Sequence, residues 1–218
     1  LLESGFSIAA ILERADPFDA VVSNHYSRLD ELPTGARVGT SSLRRQALLR
    51  ATRPDLAVSE LRGNVNTRLA KLDAGEFDAI ILACAGLIRL GFEHRIRSRL
   101  SAPEWLPAVA QGAIGIETRA DDPRSHALTA GLAHPHTTTC VSAERAMNRV
   151  LQGSCDVPIA GFATLDSAGS LALSGMVGEP ETGSLLRAQQ GGGANEAEAI
   201  GTKVAHDLIE QGADAILR

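Results

Sequence analysis

The stretch from Val38 to Arg68, VGTSSLRRQALLRATRPDLAVSELRGNVNTR, contains one local pattern twice and constrains the fold more than any other part of the chain. In each copy a short apolar run ends in a turn of small polar residues, and apolar residues at helical spacing follow. The first turn reads GTSS and follows Val38. The second reads RGN and follows the run Val58–Leu61. Two strand-to-helix turns of this kind predict an α/β fold.

Both turns combine features that attract anions. Each offers free backbone N–H groups and the positive end of a helix dipole. Arg44 and Arg45 stand in the first helical turn, and Arg62 and Arg68 flank the second. Arginine binds a carboxylate or phosphate through two parallel hydrogen bonds. Arg89 follows a third apolar run, FDAIILAC, and ligands in open α/β sheets bind at the carboxyl ends of strands. We therefore expect Arg44, Arg62 and Arg89 to converge on one cleft for a ligand with several negative groups.

The charge distribution separates this region from the rest of the chain. Residues 37–99 hold 12 Lys or Arg against 6 Asp or Glu, although the whole chain has a formal net charge of −5. A basic segment in an acidic protein favours a focused anion site. Aromatic residues make up only 3% of the chain, which disfavours a nucleic-acid surface. The alternation of Arg95, Arg97 and Arg99 is instead typical of a solvated face.

Length and composition predict a soluble globular protein. A chain of 218 residues can bury a substantial core and is expected to form more than one domain. No apolar run approaches the roughly 20 residues that span a bilayer, and no signal peptide precedes the first element. Three cysteines are too few and too scattered for a disulfide framework. These observations predict a cytoplasmic protein without a membrane partner.

Two apolar runs lie outside the central region. Gly5–Leu12 is short and has no evident partner, as though the chain were entered partway through a domain. Ala113–Thr118 is interpreted as a further buried strand. Helices are predicted at about Arg124–Ala133 and Cys140–Leu151.

The last 65 residues or so show a different pattern of predicted secondary structure. Short strands are predicted at Ile159–Leu165, Leu171–Val177 and Ser184–Gln190, and turns separate them. Gly191–Gly193 is interpreted as a flexible break before a final helix at about 195–211. This order predicts a small antiparallel sheet with one packed helix, an α+β module.

Cys155 is the cysteine best placed for chemistry, because it lies in the loop LQGSCDVP between a helix and a strand. A loop cysteine suits covalent chemistry where its pKa is lowered or a partner group is supplied. The alternative is a small buried hydrophobe, and local sequence leaves both open. Cys84 and Cys140 are interpreted as inert. His134 and His136 have no further His or Cys at ligand spacing, so we interpret HPH as a polar loop and predict no metal.

Five segments in order carry a resemblance to a known family: VGTSSLRRQ, LRGNVNTRLAKLDAGEFDAIILACAGLIRLG, LPAVAQGAIGIE, SAERAMN and LQGSCDVPIAGFA. They resemble hydroxymethylbilane synthase, also called porphobilinogen deaminase, in register from about Asp16 to the end. The resemblance implies a transferase of porphyrin and haem biosynthesis. Such an enzyme joins porphobilinogen units head to tail into the linear tetrapyrrole hydroxymethylbilane and releases ammonia. It does so on a dipyrromethane cofactor.

The resemblance also implies the site. Cys155 matches the cysteine that holds dipyrromethane through a thioether. Every pyrrole ring carries an acetate and a propionate arm, so a growing chain accumulates carboxylates that need preorganised cations and donors. The matching cofactor- and substrate-binding residues are Arg44, Arg45, Arg62, Arg68, Arg89, Thr40, Ser41, Ser42, Gly63, Asn64, Gly86 and Gln111.

The implied fold has two periplasmic-binding-protein-like α/β domains and a small C-terminal α+β domain, in which a three-stranded antiparallel sheet packs on a helix. By this template residues 1–12 and 112–130 are the remnant of a truncated domain one. Residues 17–106 form domain two, the arginine-rich anion-binding domain. Residues 135–218 form domain three, which bears the attachment cysteine. The full-length protein is expected to be a monomer.

One family motif has no match. The catalytic aspartate of the family lies in a His-Ser-x-Lys-Asp-x-Pro motif that would stand immediately upstream of Leu1, so no catalytic residue is assigned within this chain. Neither Asp16 nor Asp78 stands in a matching motif. We therefore expect residues 1–218 alone neither to load the cofactor nor to polymerise porphobilinogen. The alternative function is a non-catalytic carboxylate-binding protein on the same two-lobed scaffold, which would have no use for the loop cysteine.

Overall fold

The computed structural model describes residues 3–154 and 157–217, and within them it contains ten β-strands and seven α-helices. The strands are β1 (Phe6–Ile11), β2 (Asp19–Val22), β3 (Arg37–Gly39), β4 (Ala57–Ser59), β5 (Ala79–Ala83), β6 (Ser98–Leu100), β7 (Gly115–Arg119), β8 (Ile159–Leu165), β9 (Ser170–Gly178) and β10 (Leu185–Gly193). The helices are α1 (Leu43–Thr52), α2 (Val65–Asp73), α3 (Cys84–Arg89), α4 (Pro123–Thr129), α5 (Pro135–Val150), α6 (Ala197–Glu210) and α7 (Ala213–Ile216). The mixed α/β class predicted from the sequence is confirmed.

The largest sheet has five strands in the order β4-β3-β5-β2-β6. Strand β3 pairs in parallel with both β4 and β5, whereas β2 is antiparallel to β5 and β6. The chain leaves the carboxyl ends of β3, β4 and β5 toward α1, α2 and α3. Because these three strands are parallel neighbours, all three helices start from one edge of the sheet.

The two predicted turns form as expected, and each helix has a side-chain cap. The Ser42 hydroxyl accepts from the Arg45 N–H at the start of α1. The Asn64 carbonyl oxygen accepts from the Thr67 N–H at 2.9 Å at the start of α2. Caps of this type are typically worth about 1 kcal/mol. The second strand is shorter than predicted: β4 ends at Ser59, and Leu61 beyond it is fully buried.

The prediction that the opening apolar run has no partner is wrong. Strand β1 pairs antiparallel with β7 in a two-stranded sheet, with Phe6 opposite Arg119 and Ile11 opposite Gly115. The prediction that Ala113–Thr118 is a buried strand is also wrong on burial, because exposed and half-buried residues alternate along β7. One face of this strand is exposed, as a two-stranded ribbon allows.

The predicted antiparallel C-terminal sheet is confirmed, with strand order β10-β9-β8. The predicted break at Gly191–Gly193 is wrong, because these glycines continue β10 and pair with residues 170–172 of β9. Helix α5 begins earlier than predicted. His134 is its N-cap and His136 lies in its first turn, so the HPH segment is a helix start rather than a loop.

Helices α5 and α6 pack closely over this sheet, and Gly201 allows their approach. A Cβ at Gly201 would lie 2.7 Å from the Ala146 Cβ and 2.9 Å from the Met147 N, and it would also overlap the Ala143 carbonyl oxygen. Backbone atoms of a packed helix cannot move aside without displacing the helix. Among the helices of the described residues, none combines the length and the apolar character needed to cross a bilayer.

This contact predicts that Gly201→Ala destabilises the protein by about 1–3 kcal/mol through overpacking, although alanine is the better helix former. The measurement is the free energy of unfolding in urea. Gly131→Ala is the matched control, because a Cβ there meets nothing within 4 Å. Equal stability of the two variants would contradict the packing described for α5 and α6.

Candidate functional site

The two anion-attracting turns are physically joined. The Ser41 hydroxyl in the first turn accepts from the Leu61 N–H at 3.0 Å, just before the second turn. The Thr40 N–H donates to the Ser59 carbonyl at 2.9 Å, and Thr40 is buried. The Thr40 hydroxyl in turn accepts from the Ser42 N–H at 3.3 Å. These bonds hold the starts of α1 and α2 side by side.

A buried aspartate that the sequence analysis did not single out lies behind the first turn. Asp19 on β2 is fully buried, and four side chains donate to its carboxylate. Arg44 Nη1 lies at 2.8 Å, Arg45 Nη2 at 2.7 Å, Trp105 Nε1 at 2.7 Å and Gln111 Nε2 at 3.0 Å. We call these five residues the Asp19 cluster. It determines the positions of the two arginine side chains.

The Asp19 cluster leaves positive charge uncompensated. Burial alone would raise the pKa of Asp19, but the charges and hydrogen bonds of Arg45 and Arg44 outweigh that effect and hold the pKa well below its usual range. Asp19 is therefore a carboxylate at neutral pH, and it is shared by two guanidinium groups. Arg68 stands close enough that its pKa is lowered, first by burial and then by the positive charge of Arg45. This part of the protein carries an excess of positive charge.

Two donors in the cluster have no acceptor among the residues that the structure describes. Arg44 and Arg45 are 3% and 8% exposed, and the Nε of each makes no hydrogen bond to any described residue. A buried donor without a partner costs roughly 1–3 kcal/mol. Such atoms mark places where a further acceptor would stabilise the protein.

A cavity of about 660 Å³ lies beside Arg44. Its volume falls within the range of about 300–1,000 Å³ that is usual for ligand sites. Two groups of residues line it. One comes from the first turn and from the crossover segment, residues 101–114 between β6 and β7, and the other comes from α5 and the loop that follows it. They are Ser42, Arg44, Ala108, Val109, Ala110, Arg145, Asn148, Arg149, Gln152, Gly153, Ser154, Val157 and Ile159.

The predicted attachment residue, Cys155, lies outside the described residues. Ser154, which precedes residues 155 and 156, and Val157, which follows them, both line the cavity. The preceding Gly153 is tied to α5, because its N–H donates to the Asn148 carbonyl at 2.8 Å and its carbonyl accepts from Asn148 Nδ2 at 3.3 Å. A Cβ at Gly153 would overlap the Asn148 amide group, so a larger residue here would require the Asn148 side chain to turn away.

The structure brings together only part of the predicted residue set. Ser42 and Arg44 line the cavity, and Arg45 and Gln111 belong to the Asp19 cluster. Arg68 adjoins Arg45 and donates from Nε to the Gly63 carbonyl at 2.7 Å.

The remaining predicted residues stand at the strand ends. Arg62 is exposed and pairs with Glu60 at 2.6 Å. Arg89 is exposed at the end of α3, and a Cβ at Gly86 would meet only open space. The carbonyl oxygen of Asn64 is used as the α2 cap, and Gly63 adopts a φ of +117° that favours glycine.

A second buried ion pair, also missed from the sequence, anchors α5. Arg14 Nη1 and Nη2 donate to the two carboxylate oxygens of Glu144 at 2.6 and 3.2 Å. Burial raises the pKa of Glu144, and Arg14 together with the N–H groups of Ala163 and Ala110 opposes that rise. Arg14 Nε also donates to the Gln111 carbonyl at 2.9 Å. Gln111 thereby connects this pair with the Asp19 cluster.

A sequence signal for Asp19 existed. It is a single charge inside the otherwise apolar segment FDAVV, and a charge inside a buried strand requires partners. Arg14 and Glu144 gave no comparable signal, because they are separated by 130 positions and each lies in a segment of ordinary polarity.

The two described thiols are poor nucleophiles. Burial raises the pKa of Cys84 to about 12 and that of Cys140 to about 11. Both therefore stay protonated at neutral pH, and the thiolate is the reactive form. Within residues 3–154 and 157–217 no group of three or more His, Cys, Asp or Glu side chains is arranged to hold a metal ion.

The Asp19 cluster predicts a pH-dependent effect of Asp19→Asn. Removing one partner of a buried ion network should destabilise the protein by roughly 3–5 kcal/mol at pH 7. Because the folded-state pKa is depressed, this stabilisation is fully present above the ordinary carboxyl pKa of about 3.9 and is lost as the pH falls below it. The difference in unfolding free energy between wild type and variant should narrow below about pH 4. Asp30→Asn, at an exposed pair with Arg28, should leave stability unchanged. A constant difference across the pH range would contradict this account.

Comparison with known proteins gives matches to one enzyme family. Two family profiles match: "Porphobilinogen deaminase, dipyromethane cofactor binding domain" over residues 1–127, and "Porphobilinogen deaminase, C-terminal domain" over residues 138–210. The porphobilinogen deaminase of Xanthomonas axonopodis pv. citri is 59% identical over 216 residues, which are 99% of this chain and 71% of that protein. The porphobilinogen deaminase of Xanthomonas oryzae pv. oryzae is 58% identical with the same coverage.

Solved structures are less similar to this chain than these sequence relatives are. Protein PG110 from Staphylococcus aureus shares 14% identity over 92% of this chain and 73% of its own, with a TM-score of 0.43, which is too low to carry an argument. The sequence matches extend over nearly the whole chain, and the first matched profile is that of a domain that binds the dipyrromethane cofactor. This chain belongs to the porphobilinogen deaminase family.

Proposed function

We propose that this chain carries the substrate-binding and cofactor-attachment parts of a hydroxymethylbilane synthase. The proposed reaction joins porphobilinogen units head to tail into hydroxymethylbilane with release of ammonia, on dipyrromethane linked to Cys155. One observation carries the proposal: Arg44 of the Asp19 cluster lines a cavity whose other lining residues include Ser154 and Val157, on either side of residues 155 and 156. The full-length protein is proposed to be a cytoplasmic monomer.

The residues around the cavity fit a ligand of this kind. Dipyrromethane bears acetate and propionate arms, and the buried Nε atoms of Arg44 and Arg45 lack acceptors among the described residues. Hydrogen bonds between charged groups are worth about 1.5–3 kcal/mol, roughly twice the value of neutral ones. When bound, the group supplies the pyrrole to which substrate rings are joined. We propose that Arg44 and Arg45 bind its carboxylates, with Ser42 as a further donor.

The Asp19 cluster prepares these arginines before a ligand arrives. Asp19, itself held by Trp105 and Gln111, keeps the guanidinium groups in fixed positions, so little side-chain entropy is lost on binding. Sharing one carboxylate also limits the repulsion between the two cations without neutralising both. Asp19 itself has four donors on its carboxylate, and we assign it no part in proton transfer.

The other predicted residues are proposed to serve the incoming and growing chain. Arg62, Arg68 and Arg89 stand near the carboxyl ends of the parallel strands, where carboxylate arms of successive rings would need cations. This edge of the sheet is also formed by Thr40, Ser41, Gly63, Asn64 and Gly86. Their bonds within the turns favour a role in holding the backbone N–H groups in place.

Cys155 is the proposed attachment residue, through a thioether between its sulfur and the cofactor. The raised pKa values of Cys84 and Cys140 support this choice, since neither thiol ionises readily. The hydrogen bonds between Gly153 and Asn148 also support it, because they hold the residue two positions before Cys155 at the cavity wall.

The division into domains remains part of the proposal. Residues 1–12 and 112–130 are assigned to domain one, and the pairing of β1 with β7 supports their association. Residues 17–106 are assigned to domain two and 135–218 to domain three, and the five-stranded and three-stranded sheets fall within these ranges.

Turnover is predicted to depend on the His-Ser-x-Lys-Asp-x-Pro motif. A cation that develops beside several arginines needs a counter-charge, and the carboxylate of Asp19 is already bound by two of them. The test assays tetrapyrrole formation by residues 1–218 and by a fusion with the N-terminal segment of the Xanthomonas axonopodis relative. Only the fusion should turn over. A further fusion with Asn in place of the motif aspartate should be inactive. Comparable turnover by the 218-residue chain would mean that another acid lies within it.

Covalent attachment is predicted at Cys155 alone. Intact-mass measurement of the same fusion should show an adduct of two pyrrole units. The adduct should be lost in Cys155→Ser and retained in Cys84→Ala, because the Cys84 thiol is buried and protonated. An active fusion with no adduct, or an adduct on Cys84, would refute the assignment. A protein that binds carboxylates but never carries the adduct would be the non-catalytic binder instead.

A further inference from the structure

The α5 side of the cavity carries its own positive charges, which the sequence analysis did not assign. Arg145, Asn148 and Arg149 all line the cavity. Their spacing of three and four positions places them on one face of α5. Arg44 lines the same cavity from α1, so cations from two separate helices contribute to its wall.

Arg145 differs from its neighbours in having no partner within the part of the chain that the structure describes. Arg149 Nη2 lies 3.2 Å from Glu198 Oε1, and Arg14 forms the bidentate pair with Glu144. For the half-buried Arg145 guanidinium, no ion pair or hydrogen bond to another residue of 3–154 or 157–217 is present. Half-buried Arg53, by contrast, pairs with Asp55. Half-buried Arg50 also has a buried Nε without an acceptor among the described residues, but Arg50 does not line the cavity. Arg145 therefore presents an uncompensated charge at a cavity wall.

The helix dipole does not explain this arrangement. A cation in the last turn of a helix interacts favourably with the negative dipole end, and the effect falls off within that turn. Helix α5 ends at Val150, so Arg149 is in the last turn and Arg145 is more than one turn before its end. Arg145 is also not a freely solvated surface arginine, because its side chain is half-buried beside the cavity.

We propose that Arg145 is a second carboxylate-binding residue of this cavity, acting from α5 while Arg44 acts from α1. Its ligand would be an acetate or propionate arm of a pyrrole held near the attachment loop. Gly153 and Ser154 of that loop line the same cavity, and Asn148 ties Gly153 to α5. This inference rests on the proposed function, since it names a further residue for the same ligand class. Arg149 is paired with Glu198, so we expect it to contribute less than Arg145 to binding the carboxylate.

The test measures porphobilinogen binding to the 218-residue chain by isothermal titration calorimetry. Arg145→Gln should weaken binding about ten-fold or more, the loss expected for one charge-assisted hydrogen bond. Arg145→Lys should fall between wild type and Gln, because it keeps the charge and loses the planar fork. Arg124→Gln is the matched control, an exposed arginine of α4 that does not line the cavity, and it should bind as wild type does. Circular dichroism establishes that each variant is folded.

A second ligand separates carboxylate binding from a structural role. 2-Aminomethylpyrrole has the ring and amine of porphobilinogen but no carboxylate. Arg145→Gln should leave its weak binding unchanged, whereas a structural defect would weaken both ligands. If Arg145→Gln and Arg145→Lys bind porphobilinogen as wild type does while Arg44→Gln binds it less well, the inference is wrong and the proposed function stands. If wild type does not prefer porphobilinogen over 2-aminomethylpyrrole, both are wrong.

Discussion

The carboxylate of Asp19 is the contact on which the candidate site depends. It is fully buried, and it accepts from Arg44, Arg45, Trp105 and Gln111 at 2.7–3.0 Å. Two buried guanidinium groups without a counter-charge would repel each other and lose their hydration. One carboxylate makes their burial tolerable, and a net positive charge remains for a ligand. Stability and binding thus draw on the same few side chains, so a change at Asp19 should affect both.

The cluster also shows how the site is joined to the rest of the molecule. Asp19 lies on β2, the arginines start α1, and Trp105 and Gln111 come from the crossover segment. Through its carbonyl, Gln111 contacts Arg14, whose bidentate pair with Glu144 anchors α5. Helix α5 in turn holds Gly153 at the start of the attachment loop. Polar contacts and helix α5 therefore connect the arginine turn with Gly153, two positions before Cys155. Hydrogen-bonded networks of this kind restrict the positions of their side chains.

Local sequence patterns predicted the elements whose causes are local. The caps at Ser42 and Asn64, the helices after them and the three C-terminal strands follow from residues within a few positions of each other. The incorrect predictions concern segments whose structure depends on residues far away in the sequence. Strand β1 finds its partner more than 100 positions away, and Gly191–Gly193 form a strand because β9 pairs with them. Asp19 was missed as a partner of Arg44 and Arg45 for the same reason, since periodicity does not reveal which buried charges meet.

The central claim is that a pyrrole carboxylate binds at the two arginine Nε atoms of the Asp19 cluster, which have no acceptor among the described residues. A crystal structure of the 218-residue chain with porphobilinogen tests it most directly. The account predicts a carboxylate oxygen about 2.7–2.9 Å from the Nε of Arg44 or Arg45, with the bonds from both arginines to Asp19 retained. Porphobilinogen bound elsewhere, or an Asp19 released from both arginines to make room for it, would contradict the account.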